Sequence, residues 1–500
     1  MSEHAAAERT APDDAGRRGA VVLAAGKGTR FRSERAKVLH RVAGRTMLRW
    51  VLEALRPLGL DRVVVVVGHQ ADEVRAEAEA SGLPGLVTVL QSEQRGTGHA
   101  VRCAVDDGAL EGIDRVIVLP GDVPLLSART LEPVLDAGDP AATVLTFDAA
   151  DPAGYGRVLR DADGRVTRIV EHGDATDDER LVTEVNTAIY AFDARRLASE
   201  LAALSSANAQ GEEYLTDVIA PLVPHGVGAA LAPEDEVAGI NDRVQLADAG
   251  AVLRRRILER VMREGATVVD PQTTYVEADV TVGRDALLRP GTHLEGATRI
   301  ADGAEVGPDT RLVDTRVEEG AVVAYSVASG ANIGPGASVG PYAHLRSGTR
   351  LAAGAKVGEF VGTKSSVIGA RSKVPHLAYI GDAEIGEDVN IGAATVTVNY
   401  DGFEKNRTVI GDRARVGSDT MLVAPVRIGV EAYTGAGSVI TTDVPDGALG
   451  VERTEQRIID GFAERKRAKH DRRQATAGGT SHGAGHRDGQ DGSAPEEGPA

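Results

Sequence analysis

The sequence predicts two architectures in tandem: an α/β domain of Rossmann-like type, then a parallel β-helix of hexapeptide repeats. Three observations predict it. Valine-rich runs alternate with helical segments from Ala20 to about Ile240. From Val276 onward an aliphatic residue recurs at every sixth position. Aromatic residues make up only 3% of the 500 residues, although hydrophobic residues reach 42%. A core so poor in rings must be narrow and filled by small aliphatic side chains, which suits a stacked coil.

Residues 1–18 mix both charge signs and lack the apolar segment of a signal peptide, so they read as a disordered extension. The α/β domain spans 19–241. Within it "AVVLAA", "RVVVVVG" (62–68) and "RVIVLPGD" (115–122) are short continuous apolar runs. Such runs suit strands buried on both faces of a parallel sheet. Ligands collect at the carboxyl ends of these strands, where "VVLAAGKGTR" (21–30) and "PGDVPL" fall. The first stretch is no P-loop, because Val21 replaces the first glycine and Gly28 follows Lys27. It is no dinucleotide fingerprint either, because Phe31 stands where the third glycine belongs. What remains is a strand-to-helix turn with Lys27 and Arg30 beside two glycines, a place where backbone N–H groups can approach an anion.

A connecting helix is expected over 242–264, with Leu246, Leu253, Ile257 and Val261 along one stripe and Gly265 as its stop. Read alone, Asn241 would be its N-cap. The β-helix follows over 265–453. Its aliphatic positions are Val276, Val282, Leu288, Leu294, Ile300, Val306 and Leu312, then Ile333, Val339, Leu345, Leu351 and Val357. They continue at Ile368, Val374, Ile380, Ile385 and Ile391, and close at Ile410, Val416, Leu422, Ile428 and Ile440, with Thr434 in the slot before the last. Each hexad supplies one face of a triangular coil, its aliphatic residue inward. The stretch "TVTVNYDGFEKNRTV" interrupts the repeat and predicts a protruding polar loop. A basic helix is expected over 454–474 and disorder over 475–500, where Gly, Ser, His and Pro dominate.

The formal charge of −18 argues against nucleic acid or anionic membranes as partners, so an anionic substrate needs local clusters of cations. No apolar run approaches a membrane span. Cys103 is the single cysteine, which excludes an intrachain disulfide and suits the cytoplasm.

The motifs "LAAGKGTR", "KVLH", "EQRGTGHA", "GDVPLL", "DPAGYGRV", "NAQGEEYLTDVI", "GINDRVQL", "KVPHLAYIGDAEIGEDVNIGA" and "VNYDG" occur in this order. Together they resemble the bacterial bifunctional N-acetylglucosamine-1-phosphate uridyltransferase/glucosamine-1-phosphate acetyltransferase family, from about Ala20 to Arg453. The resemblance implies a left-handed β-helix, a homotrimer, and small-molecule substrates: UTP, acetyl-CoA and the two amino-sugar phosphates. It implies that Leu23, Ala24, Ala25, Gly26, Gln91, Gly96 and Thr97 hold the uridine portion, with Arg30 and Lys37 on the phosphates. Asp122 and Asn241 match ligands of a Mg²⁺ ion, and Gly156, Glu171 and Asn186, with Asn241, the amino-sugar contacts. In the second half His376 matches a general base that takes a proton from the attacking amine. Arg346, Lys364, Tyr379, Asn390 and Lys405 match contacts to the sugar phosphate. Ala393, Asn399, Tyr400, Ser418, Ala436 and Arg453 match acetyl-CoA contacts.

Three positions depart from the family pattern. Gly362 replaces a usual glutamate, Gly173 a lysine or polar residue, and Ala188 a glycine. Loss of a carboxylate at 362 is expected to disturb the orientation of the amine or the basicity of the base. Other readings stay open at this stage. One is a sugar-1-phosphate nucleotidyltransferase whose β-helix is structural or inactive, and another a non-enzymatic scaffold. The third is a zinc hydratase using His293, His344 and His376 across subunits.

Overall fold

The computed structural model describes residues 16–138 and 140–478. The front domain is built on a nine-stranded sheet. Its main path carries β1 (Arg18–Ala24), β2 (Arg62–Val67), β3 (Leu86–Leu90), β4 (Arg115–Pro120), β5 (Ala142–Asp148), β6 (Glu184–Asp193) and β7 (Val227–Leu231). The spatial order is β7-β5-β6-β4-β1-β2-β3. β1 pairs in parallel with β2 on one side and β4 on the other, while β6 runs antiparallel between β4 and β5. The chain thus reverses its direction of travel across the sheet between β1 and β4, and a crevice opens there beyond the strand ends.

The valine runs are the central strands, as their lack of alternation requires. Val63 through Val67 are no more than 1% exposed. Alternate residues feed two cores: Val22, Val63, Val65 and Val67 pack with Leu48, Val51 and Leu52 of helix Met47–Leu55. Val21, Val64 and Val66 pack with Ala100, Val101 and Ala104 of helix Thr97–Asp106.

Helix Arg243–Arg263 joins the two parts, burying Leu253, Ile257 and Val261. Its N-cap is Asp242, which accepts from the N–H groups of Val244 and Gln245 at 2.9 Å. The cap therefore does not fall on Asn241, whose side chain is released for other work. Gly265 ends the helix at φ 111°.

Behind the helix the chain winds into three parallel sheets of 11, 10 and 9 strands, the prism of a left-handed β-helix. Every hexad position named above is at most 7% exposed, and the hydrophobic cluster at the core is built from Val, Leu, Ile and Ala. The apparent phase shifts have a simple origin. Val317, Ala328 and Ile333 each follow the preceding core residue by five positions instead of six, and Thr363 and Thr397 occupy core slots that a search for aliphatic residues passes over. Both threonines are fully buried with their hydroxyls bonded, Thr363 to Thr349 and Thr397 to Gly381. The interruption is consequently shorter than the sequence suggests. Val396–Val398 and Thr408–Ile410 stay in the ladders, and the intervening Asn399–Arg407 turns out. Asp401 braces that loop by accepting from the N–H groups of Phe403 and Glu404.

Two terminal expectations need correction. The C-terminal helix is Phe462–Gly478, not 454–474. Its first turn starts at Gly461, which is left-handed at φ 66°, and it runs on through an alanine-containing stretch that favours helix. Residues 475–478, expected to be disordered, belong to it; 479–500 lie outside the described residues, as do 1–15. Arg18 is already the first residue of β1.

Candidate functional site

A cavity of about 530 Å³ lies beyond the ends of β1 and β4. Its wall includes Leu23, Ala24, Ala25, Gly26, Arg30, Lys37, Gln91, Gly96, Thr97, Asp122 and Asn241, so the residues matched to uridine, phosphate and metal come together. Local geometry explains Gly28 and Gly96. A Cβ at Gly28 (φ 62°) would stand 2.5 Å from that of Lys37, and one at Gly96 (φ 114°) 2.5 Å from the Glu213 carbonyl. The glycine-rich loop can approach Lys37 only without a side chain there.

Lys37 Nζ forms an ion pair with Asp122 Oδ2 and donates to Asn241 Oδ1 at 3.1 Å. Residues more than two hundred positions apart in sequence thus meet around one cation. A carboxylate and an amide oxygen converging this way are the donors a Mg²⁺ ion accepts, with waters and phosphate oxygens filling its shell. Among the described residues no group of three or more His, Cys, Asp or Glu could hold a metal alone. The donor set fits a metal shared with a substrate.

Gly156, Glu171 and Asn186 sit together beside this cavity, not in its wall. Asn186 N–H donates to Gly156 O at 2.9 Å, and Thr216 Oγ1 donates to Glu171 Oε1 at 3.2 Å. Burial pushes the Glu171 carboxyl above the usual carboxylate range. Asn186 Oδ1 accepts from the N–H of Ala188, which does line the cavity.

The β-helix presents its candidates along two lines. The first is the corner after the eleven-stranded sheet. Glu359 pairs in register with His376, and their side chains meet at 2.6 Å between Oε1 and Nδ1. A backbone N–H and then His376 hold the Glu359 carboxyl below the usual range. The carboxylate therefore accepts, Nδ1 donates, and Nε2 is left as the basic atom. Ala393, Ser418 and Ala436 continue this corner upward: Asp419 N–H donates to Ala393 O, Gly437 N–H to Ser418 O, and Arg453 Nη1 to Ala436 O.

The second line runs along the ten-stranded sheet. Arg346 lies 5.6 Å from the Tyr379 ring centroid. The loop folds Lys405 back onto Lys364, and that second ammonium holds Lys364 below the ordinary lysine value, with Arg346 adding to the effect. Three cations so placed are poised for an anion. Asn399 donates to Asp382, and Tyr400 OH to Gly402 O at 2.7 Å. Asn390 stands apart, on the eleven-stranded sheet between Lys373 and Arg415. Among the described residues no hydrogen bond joins it to His376.

A family model for MobA-like NTP transferase domains matches residues 20–222, which hold all the strands of the front sheet except β7. Curated relatives extend the likeness through the prism. The bifunctional protein GlmU of Streptomyces avermitilis is 52% identical over 457 residues, covering 89% of this chain and 94% of that protein. The protein of the same name from Thermobifida fusca is 54% identical over 456 residues, and that of Corynebacterium efficiens 52% over 457, each with the same coverage. The chain belongs to the bifunctional GlmU family.

Against the GlmU pattern, the carboxylate absent at Gly362 is not the one that touches the histidine. A Cβ at 362 would meet only the Tyr379 ring, at 3.7 Å, while Glu359 holds His376. Sequence reading missed Glu359, although it lies 17 positions before His376, one coil of the prism. It also missed Gln94 and Glu212 in the cavity wall. A Cβ at Gly173 has only Ala209 within reach, at 3.8 Å. Ala188 sits at φ 60°, in the left-handed region that a GlmU glycine would enter freely.

Proposed function

We propose that the chain makes UDP-N-acetylglucosamine in two steps at two sites. In the prism, the amine of glucosamine 1-phosphate attacks the thioester carbon of acetyl-CoA. His376 Nε2 takes the amine proton and the CoA thiol leaves. Arg346, Lys364 and Lys405 hold the sugar phosphate. Ala393, Ser418, Ala436 and Arg453, with Asn399 and Tyr400, line the way for acetyl-CoA.

In the front cavity, a phosphate oxygen of N-acetylglucosamine 1-phosphate attacks the α-phosphorus of UTP and pyrophosphate leaves. Arg30 and Lys37 hold the phosphates in line against their mutual repulsion, and Gly156, Glu171 and Asn186 hold the sugar. A Mg²⁺ ion bound by Asp122 and Asn241 would supply positive charge for the phosphate oxygens. The single observation that carries this reading is the meeting of Lys37, Asp122 and Asn241 in a cavity walled by the glycine-rich loop.

The active assembly is a homotrimer, with partner subunits completing the prism site and bringing Asn390 to it. Tyr325, Tyr342, Phe360 and Leu377 are 40–60% exposed beside the Glu359–His376 corner, an apolar stripe suited to a partner subunit. No described helix is long and apolar enough to cross a membrane. A cytoplasmic location fits the proposed use of UTP and acetyl-CoA.

Mass spectrometry of products from UTP, acetyl-CoA and glucosamine 1-phosphate with Mg²⁺ tests the reading. UDP-N-acetylglucosamine, free CoA and pyrophosphate are expected. A nucleotide sugar without acetyl transfer would instead favour a structural β-helix.

A further inference from the structure

Behind the nucleotide cavity lies a chain of three side chains. Gln91, at the end of β3, is 4% exposed and lines the cavity. Its Nε2 donates to Gly96 O at 3.1 Å and lies 3.0 Å from His99 Nδ1. A carbonyl can only accept, so the Gly96 contact fixes which end of the amide is nitrogen. The second amide proton then points at His99 Nδ1, which must be bare. The imidazole is therefore neutral, with its proton on Nε2, 3.7 Å from Cys103 Sγ, a weak acceptor. His99 is 7% exposed, and burial holds it below the ordinary histidine value. Arg95 and Arg102 push the same way, against Glu213 and the Glu93 carbonyl.

We propose that His99, backed by Cys103, is a positioning residue for base selection: it locks Gln91 with Oε1 toward the bound base. An oxygen in that position accepts from the N3–H of uracil. It faces the bare N3 of cytosine lone pair to lone pair, and a buried polar group left unpaired is the strongest basis for rejecting an analogue. With His99 removed, the Gly96 carbonyl alone still holds the NH₂ end, so the amide turns more readily to offer that NH₂ to cytosine. This rests on the assignment of UTP to the front cavity.

The test is steady-state kinetics of the full chain with UTP and with CTP. Wild type should favour UTP strongly. His99→Leu should raise the CTP/UTP ratio of kcat/KM by about tenfold or more, mainly through KM for UTP. His99→Asn, whose Oδ1 falls near the Nδ1 position, should recover most of the preference, and Cys103→Ala should shift the ratio a few-fold. Retained UTP turnover with an unchanged ratio in His99→Leu would overturn the relay. Failure of wild type to use UTP would instead overturn the assignment of the cavity. Should His99→Leu not fold, ¹⁵N spectra of histidine-labelled wild type decide, with His99→Asn identifying the signal. The Nε2–H tautomer is expected, and the Nδ1–H tautomer would refute the proposal.

Discussion

On the proposed function, the front cavity and the prism corner solve the same problem, gripping an anionic sugar, in opposite geometries. The cavity is concave and closed by one chain: loop, strand end and connecting segment meet around Lys37, with Asp122 and Asn241 mostly shielded from water. The corner is convex, and its groups stand in water on two neighbouring faces, with the His376 and Glu359 side chains 51% and 40% exposed. A β-helix turns the core residue of each hexad inward, so its charged residues project outward. The concave site can therefore be complete in a monomer. The convex one needs a second surface to exclude water and strengthen its electrostatics.

The largest effects should separate the two regions. Asp122→Ala should lower uridylyl transfer by about 10³-fold or more, because a phosphoryl transition state depends on positioned charge. Chelation of divalent ions should do the same. Acetyl transfer, followed by thiol release from acetyl-CoA, should stay within about twofold in both cases. Loss of both activities would mean that the regions are not independent.

The mirror experiment is next in size. His376→Ala should lower acetyl transfer by roughly 10²–10⁴-fold and spare UTP turnover. Wild-type thiol release would remove the histidine from the chemistry.

Glu359→Gln should have a smaller effect, about 10–100-fold on acetyl transfer. A pair this exposed is screened, unlike buried dyads, where losing the orienting carboxylate reduces rate by ~10⁴. The pH dependence has a definite sign. Glu359 is held below the usual carboxylate range, so its grip on His376 persists well into acid and fades only as pH falls through that lowered value. In Glu359→Gln the acid limb of the acetyl-transfer profile should lose this component. An identical profile at an identical rate would make the contact incidental.

The two regions also differed in how far the sequence could be read. Prism positions obey a period, so each core residue from Val276 to Ile440 announces itself. The exceptions were Val317, Val323 and Ala328, displaced by five-residue steps, and Thr363 and Thr397, whose hydroxyls find acceptors inside. Glu359 escaped because stacking, not adjacency, brings it to His376, and a partner one coil away has no local signature. In the front domain, the valine runs and glycine turn located the cavity floor. The union of Lys37 with Asn241 depends on how the connecting helix returns to the sheet, which no local pattern encodes. Read alone, Asn241 offers itself as the cap as well as Asp242 does, since Asn and Asp serve equally there, and the cap is Asp242.

The smallest effect falls in the front domain alone. Between Asn186 and Tyr190 the register of β6 against β5 shifts, and the irregularity places Ala188 at φ 60° in the cavity wall. For an L-residue with a Cβ this backbone costs roughly 1–2 kcal/mol, while glycine there loses ~0.5–1 kcal/mol more entropy on folding. Ala188→Gly should therefore stabilise the front domain by up to about 1 kcal/mol, a rise of about 2 °C in the midpoint for a domain of this size. The prism transition should not move, because no buried residue of its core belongs to that segment. Equal shifts in both transitions would show that the two parts unfold as one unit, and a lower front-domain midpoint would mean that the alanine methyl packs better than its backbone suffers.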